Sequence, residues 1–359
     1  MKIIITGGHL SPALSVVEAL PKKDIVLIVG RKHTFEGDSH FSFEHQVANS
    51  LKIPFITITT GRLQQTFTRY TIGSVAKIPI GFFQALKIVK KFKPDVVLSF
   101  GGYVSLPIVI AAAFLQIPIV VHEQTLEAGL ANKIASFFAS KICISWKSSS
   151  KFFPKSKTIV TGIPIRKFKI SNFKFQISNE RLPLLYITGG SGGSHSINLL
   201  IEGCIKKLLE KFYVFHQTGS SDFKDYSRLE TLKRSLNKTL QKRYTLTKFI
   251  EPSEVGSIIS ASDLVVSRSG INTVSELIYF GKPALLIPLN KEQEKNALYL
   301  CTLGFAEIVS QNTIDSNTLY EKIIAMLENK SLYEKHAMEA KKILTLDAAQ
   351  KIIDVVHYV

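Results

Sequence analysis

"IIITGGHLSPAL" (residues 3–14) and "LYITGGSGGSHS" (residues 185–196) are one pattern written twice. Each is a short run of strand-forming residues that ends in glycines and passes at once into a helical stretch. A glycine turn in that place lets a ligand approach the backbone and aims NH groups at an anion. Around each turn, strand-like runs alternate with longer helical segments. In the first half the runs are Ile3–Ile5, Ile25–Val29, Phe55–Thr59, Val96–Ser99, Ile117–Val121 and Ile142–Ser145. In the second they are Leu184–Thr188, Tyr213–Gln217, Tyr244–Thr247, Leu264–Ser267 and Ala284–Pro288. Their near-continuous apolar character predicts strands covered on both faces, hence parallel sheets. The fold read from this is α/β: two Rossmann-like domains with parallel sheets facing across a cleft. The basic, aperiodic stretch around 163–182 reads as the linker. The expected domains are 1–162 and 163–339, with a C-terminal helix in 340–359 packing back on the first.

A chain of 359 residues suits two such domains. Its formal net charge of +17 asks for an acidic partner: nucleic acid, an anionic membrane or a phosphorylated substrate. Cys143, Cys204 and Cys301 lack metal or disulfide spacing and read as reduced core thiols. "MKIIITGG" is only one strand long before its glycines, too short for a signal peptide. The apolar stretch "VSLPIVIAAAFLQIPIVV" (residues 104–121) has the length of a membrane span. Pro107, Gln116 and Pro118 interrupt it and His122-Glu123 follow, so it reads as buried helix, turn and strand.

Neither glycine turn fits the dinucleotide fingerprint. In the frame from Gly190, His195 stands where the last glycine belongs, and the chain has no P-loop. A dehydrogenase is disfavoured. "VVSRSGINTVSEL" (residues 265–277) is more specific. If its helix begins near Gly270, Glu276 lies roughly 9 Å along the axis at 1.5 Å per residue. A carboxylate there can accept both hydroxyls of a ribose while the helix N-terminus and Arg268 face phosphate. Asn272, Thr273 and Ser275 can satisfy free backbone groups or donate to the ligand. The alternative is an ordinary capped helix with Glu276 solvated. In "NKEQEKNAL" (residues 290–298), Gln293 follows a strand ending at Pro288, where its amide can read sugar hydroxyls. Otherwise it is an exposed helix residue. No Asp-x-Asp occurs, so no metal and no cofactor is expected. Helix N-termini with Arg166 or Arg268 would neutralise a leaving diphosphate.

The chain resembles the peptidoglycan N-acetylglucosaminyltransferases of glycosyltransferase family 28. The resemblance runs nearly end to end. It is carried by "TGGH", "FGGYVSLP", "HEQTLEAGLANK", "GIPIR", "GGSGGSHSIN", "HQTG", "FIEPS", "SRSGINTVSE" and "EQEKNA" in that order. It implies a GT-B fold and an inverting enzyme that moves N-acetylglucosamine from UDP to undecaprenyl-diphospho-muramoyl-pentapeptide. It also implies roles. Thr6, Gly7, Gly8 and His9 match the first glycine loop, which faces the acceptor diphosphate and the donor sugar. Gly101, Gly102 and Tyr103 match the second. His122, Glu123, Gln124, Thr125 and Asn132 match a cleft segment of the acceptor domain. Arg166 and Ser191 match donor-diphosphate contacts, and Ile250 the residue whose backbone reads uracil. Ile271, Asn272, Thr273, Val274, Ser275 and Glu276 match the ribose and phosphate helix, and Gln293 the sugar-reading glutamine. This chain departs from the family pattern in Ile4-Ile5, Thr125 and Ile163, which stand where two glycines and two asparagines are usual. Losing the amide at 125 puts one sugar contact in doubt.

Inversion needs one in-line attack with a base to take the acceptor proton. His9 and Glu123 are both candidates. His9 titrates near neutrality, or it only donates to the acceptor diphosphate. His122 follows an apolar strand and reads as a hydrogen-bonded core histidine. From Gln46 to Pro94 there is no Asp or Glu, while Lys52, Arg62, Arg69, Lys77, Lys87, Lys90, Lys91 and Lys93 interleave with apolar residues. Such a surface suits an anionic leaflet and a polyprenyl tail, with Lys77 beside Ile78, Ile80 and Phe82 as its centre. Together with the resemblance this places the protein peripherally on the cytoplasmic face of the cell membrane. Nucleic acid is not an expected partner. Two other readings stay open: a related UDP-sugar transferase with another lipid acceptor, and a basic nucleic-acid-binding protein without enzymatic activity, which shows no recognised motif.

Overall fold

A computed structural model describes residues 1–8, 10–32, 42, 45, 48–49, 51–61, 69–165, 182–190, 192–219, 223–345 and 347–359; for 10–11, 69–77 and 252 it describes the backbone alone. The chain divides into two compact units, one of Met1–Arg166 with Thr345–Val359 and the other of Lys167–Leu344.

The first unit contains β1 (Lys2–Thr6), α1 (Leu10–Ala19), β2 (Ile25–Gly30), β3 (Phe55–Thr57), α2 (Arg69–Phe92), β4 (Val96–Ser99), α3 (Leu106–Phe114), β5 (Ile119–Glu123), α4 (Leu130–Phe138), β6 (Lys141–Ile144) and β7 (Thr158–Val160). Its seven strands are parallel, in the order β3-β2-β1-β4-β5-β6-β7. Side chains alternate across a strand, and each apolar run here feeds two cores. Ile4, Val97, Ile119, Val121, Ile142 and Ile144 pack on one face with Ala85 and Val89 of α2 and Ala135 of α4. Ile3, Ile5, Val96, Leu98 and Val120 pack on the other with Val16 of α1. Such residues each contribute about 1.5–3 kcal/mol on burial. This is why the strands read as unbroken hydrophobic sequence.

The second unit contains β8 (Leu184–Thr188), α5 (His195–Lys211), β9 (Tyr213–Gln217), α6 (Asp225–Ser235), α7 (Lys238–Arg243), β10 (Tyr244–Thr247), α8 (Pro252–Ala261), β11 (Leu264–Ser267), α9 (Ile271–Phe280), β12 (Ala284–Leu286), α10 (Lys291–Thr302), β13 (Ala306–Ile308), α11 (Ser316–Glu328) and α12 (Lys330–Lys341). Its strands are parallel in the order β10-β9-β8-β11-β12-β13. Leu185, Ile187, Val214 and Val266 pack under Ile197, Ile201 and Ile205 of α5 and Leu319 and Ile323 of α11. On the opposite face α8 lies against β8 and contacts α9.

The chain then returns to the first unit. α13 (Ala348–Tyr358) packs on α1, with Ile352, Ile353 and Val356 in the same core as Ile3 and Ile5. Asp24 joins both ends: the amino terminus donates to Oδ1 at 2.7 Å and His357 Nε2 lies 2.8 Å from Oδ2.

The stretch 104–121 is helix α3, a turn and the start of β5. Among the described residues no helix is long and apolar enough to cross a membrane. Cys143 and Cys204 are buried free thiols, both pushed up to about 12 chiefly by burial; Cys301 is only half-buried.

Candidate active site

In both units the order of strands reverses beside the strand that carries the glycine turn, at β1/β4 and at β8/β11. Ligands of open α/β sheets bind outside the carboxyl ends of strands at such points. The sequence candidates gather there.

In the first unit the two glycine loops interlock. The Gly8 NH donates to the Gly101 carbonyl at 2.8 Å. Gly102 has φ +76°, and a Cβ there would stand 3.1 Å from the Gly8 nitrogen. Beside them the His122-Glu123 pair belongs to β5 itself and is not, as expected, a segment after the strand. Both side chains are 1% exposed. His122 Nε2 lies 3.3 Å from the Ser145 hydroxyl, the hydrogen-bonded core histidine foreseen from its position.

Glu123 is fully engaged. The NH and hydroxyl of Thr125 donate to Oε1 at 2.9 and 2.6 Å. The Gly129 NH and Asn132 Nδ2 donate to Oε2 at 3.0 and 2.9 Å. A carboxylate offers about four lone-pair sites, and at least three are met here by the two backbone NH groups and Asn132. Through these contacts Glu123 organises the 124–132 loop. Thr125, in place of the usual asparagine, places its hydroxyl between that carboxylate and the Glu127 carbonyl, either of which can take its one hydrogen. Asn132 also donates to the His122 carbonyl at 3.1 Å. Tyr103 is half-buried beneath the Arg31 guanidinium, 5.1 Å from its ring centre. Thr6 is buried, and its hydroxyl has no partner among the described residues. His9 lies outside the described residues.

In the second unit the turn after β8 is set by Gly193, at φ +76°, where a Cβ would stand 2.1 Å from the Thr218 carbonyl oxygen. Ser194 caps α5, accepting the Ile197 NH. Helix α9 starts after Gly270, which has no side chain to cap it. Asn272, Thr273 and Glu276 lie on its accessible face; Ile271, Val274 and Ser275 are buried. Ser275 therefore does not reach out to a ligand: its hydroxyl donates to the Ile271 carbonyl one turn back, at 2.7 Å. Ile271 and Val274 offer backbone only. Gln293, in the first turn of α10, accepts the Leu289 NH at 3.0 Å through its carbonyl, and its NH2 has no partner among the described residues. Ile250, 5% exposed, follows β10. Arg166 and Ser191 lie outside the described residues.

Arg268 departs most from expectation. It is 7% exposed, and its guanidinium turns inward. It donates to the Ile287 carbonyl at 2.8 Å, to the Ser196 hydroxyl at 2.7 Å and to Gln311 Oε1 at 2.9 Å. No carboxylate pairs with it among the described residues, and burial lowers its pKa. Its charge still biases the site, but its hydrogen bonds tie the start of α5 to the ends of β11 and β12. Ser196 and Gln311 were not anticipated, because nothing in the local pattern around residue 311 predicts contact with residue 268. Asn296 is a third such residue: it donates to the Ser269 carbonyl at 3.0 Å, while the Ser269 hydroxyl donates to the Gln293 carbonyl. No group of three His, Cys, Asp or Glu side chains able to hold a metal exists among the described residues.

Residues 3–144 match the glycosyltransferase family 28 N-terminal domain and residues 184–353 the family's C-terminal domain. The chain belongs to glycosyltransferase family 28. A relative from Clostridium botulinum (strain 657 / Type Ba4), named UDP-N-acetylglucosamine–N-acetylmuramyl-(pentapeptide) pyrophosphoryl-undecaprenol N-acetylglucosamine transferase, is 32% identical over 354 residues, covering 95% of each chain. The crystal structure of Acinetobacter baumannii MurG superimposes with a TM-score of 0.76 at 25% identity, over 100% of this chain and 99% of that one. A UDP-GlcNAc 2-epimerase from Neisseria meningitidis shares the fold at 18% identity, with a TM-score of 0.68 over the whole of both chains. The family match covers both units, so this is a hexosyltransferase of GT-B fold.

Proposed function

We infer that the chain moves N-acetylglucosamine from UDP-N-acetylglucosamine to the 4-hydroxyl of undecaprenyl-diphospho-N-acetylmuramoyl-pentapeptide, the reaction for which its relatives are named. The observation that carries this is the match of both halves to family 28, joined to an accessible Asn272-Thr273-Glu276 face above an uncapped helix start. In our reading the donor nucleotide lies on the second unit: Ile250 meets uracil, Glu276 the ribose, the start of α9 the diphosphate and the Gln293 amide the sugar. The lipid acceptor uses the glycine loops and the Glu123-braced segment of the first unit. Because Glu123 is buried and bound up with the 124–132 loop, we assign the proton-accepting role to His9. The diphosphate leaves against backbone NH groups and arginine rather than a divalent ion.

Docking on an anionic membrane is the second part of the proposal. On α2, Ile80 and Phe83 are 52% and 68% exposed, and Lys87, Lys90 and Lys91 continue that side of the helix at helical spacing. Phe114, 70% exposed, adjoins through Phe82. Phe82 itself packs on the core, so it is not the surface anchor expected of it. The side chain of Lys77 lies outside the described residues. An apolar cluster edged with lysines supports contact with the cytoplasmic leaflet.

The test is incubation with UDP-N-acetylglucosamine and a short-chain lipid acceptor in the presence of a chelator, followed by mass analysis. Addition of one N-acetylhexosamine is expected. Transfer only to a different lipid in an acceptor panel overturns the acceptor assignment, and transfer that stops with chelator overturns the metal-free mechanism.

A further inference from the structure

The His216-Gln217-Thr218-Gly219 motif has no part in the chemistry so far. Gln217 ends β9 and is 3% exposed. Its carbonyl oxygen accepts from the Tyr186 hydroxyl at 3.0 Å and the Thr188 hydroxyl at 2.9 Å. The Thr188 oxygen also accepts the Gly190 NH at 3.0 Å while its hydrogen goes to Gln217. The NH2 end has no partner among the described residues. A ligand oxygen could take this donor.

The topology says which ligand oxygen. Sheet order places β9 and β8 between β10, which leads to Ile250, and β11, which leads to Glu276. Tyr186, Thr188 and Gln217 project to the face away from α5, the side of α8 and α9. Burial chiefly, with a lesser contribution from the Glu276 carboxylate, pushes the Tyr186 hydroxyl upward. A nucleoside reaching from Ile250 to Glu276 crosses the ends of β9 and β8, over the Gln217 amide.

We propose that Gln217 is a further binding residue for the donor, its Nε2 donating to an oxygen of the nucleoside, with Tyr186 and Thr188 as the residues that aim it. This rests on reading the second unit as the donor half. Gln217→Glu keeps an acceptor for Tyr186 and Thr188 and removes the donor; Gln217→Leu removes both. Calorimetry with UDP, UMP and pyrophosphate, beside a melting scan, separates the possibilities. Loss of one neutral hydrogen bond predicts about 3- to 10-fold weaker UDP and UMP binding in Gln217→Leu. Gln217→Glu should lose at least as much, with pyrophosphate binding unchanged in Gln217→Leu. Donor KM should rise by the same factor at nearly constant kcat. Tyr186→Phe with Thr188→Val should give a smaller loss in the same direction. Wild-type affinity for UMP in a folded Gln217→Glu protein overturns this inference alone. A wild-type protein that binds neither UDP nor UMP overturns the donor reading and the inference with it.

Discussion

Asn132 hydrogen-bonds Glu123 and packs its carboxamide against the bare Cα of Gly101. Its Nδ2 donates to Glu123 Oε2 at 2.9 Å, while its buried Oδ1 has no partner among the described residues and would stand 2.7 Å from a Cβ on Gly101. The second glycine loop and the buried carboxylate thus share one side chain. Asn132→Asp sets a second carboxylate against a buried one and should cost about 1–3 kcal/mol or more. We expect a lowered melting temperature and lost transfer, with UDP affinity retained if the donor binds the second unit as proposed. UDP calorimetry of the variant checks it; parallel loss of donor binding counts against the division of labour.

Glu276→Ala should weaken UDP binding by roughly 1.5–3 kcal/mol, the scale of hydrogen bonds to a charged group. The accessible position of Glu276 on α9 motivates this. Comparing UDP with its 2′-deoxy analogue isolates the contact. Should the variant still discriminate the two as the wild type does, the ribose role is wrong.

Arg268→Met leaves Ile287, Ser196 and Gln311 without their shared donor. The expected cost is about 2–4 kcal/mol of stability, with weaker UDP binding following from loosened loops. A direct phosphate role predicts the reverse: normal melting and a selective loss of pyrophosphate affinity.

Phe83→Ser and Phe82→Ser should part company. Phe83 is 68% exposed, so its loss should spare the fold and weaken flotation on anionic vesicles. Phe82 packs on the core, and its loss should lower the melting temperature first. Flotation that ignores both salt and lipid charge would remove the electrostatic part of the docking idea.

Acid should destabilise the second unit through His216. Burial lowers its pKa to about 3, although Asp225 nearby pulls the other way. The ring is held neutral between Tyr244 Oη and Asn198 Oδ1, both at 2.9 Å. The unfolded chain takes up this proton below about pH 6.5 and the folded one does not. Stability present above pH 6.5 is therefore lost as pH falls towards 3, on the order of 2 kcal/mol by pH 5. Denaturant melts at pH 7.5 and 5 should show this, and His216→Gln should flatten the difference.

Much of the fold was legible because the strands are buried on both faces. Ile3 to Ile5 have no solvent side, so the apolar run marks the strand. The strands β7 and β13 went unread: each is three residues at a sheet edge, half-exposed, and no run of hydrophobic residues announces them. The same holds for the site. Glu276 and Gln293 could be placed on helix starts from local spacing alone. The inward turn of Arg268 could not, because it depends on Gln311, 43 residues away. The engagement of Glu123 was hidden for another reason: its donors are mostly backbone NH groups and a threonine, which look alike in any loop.

The last helix has a consequence for how the molecule is made. α13 completes the core around Ile3, Ile5 and Val16, yet it follows the whole of Lys167–Leu344 in the chain. At about 5–20 residues per second of synthesis, the opening half waits roughly 10–40 s for its final piece. During that interval the apolar side of α1 lies bare on the nascent chain, a surface a chaperone could hold. The second unit, continuous in sequence, can close before the first is whole.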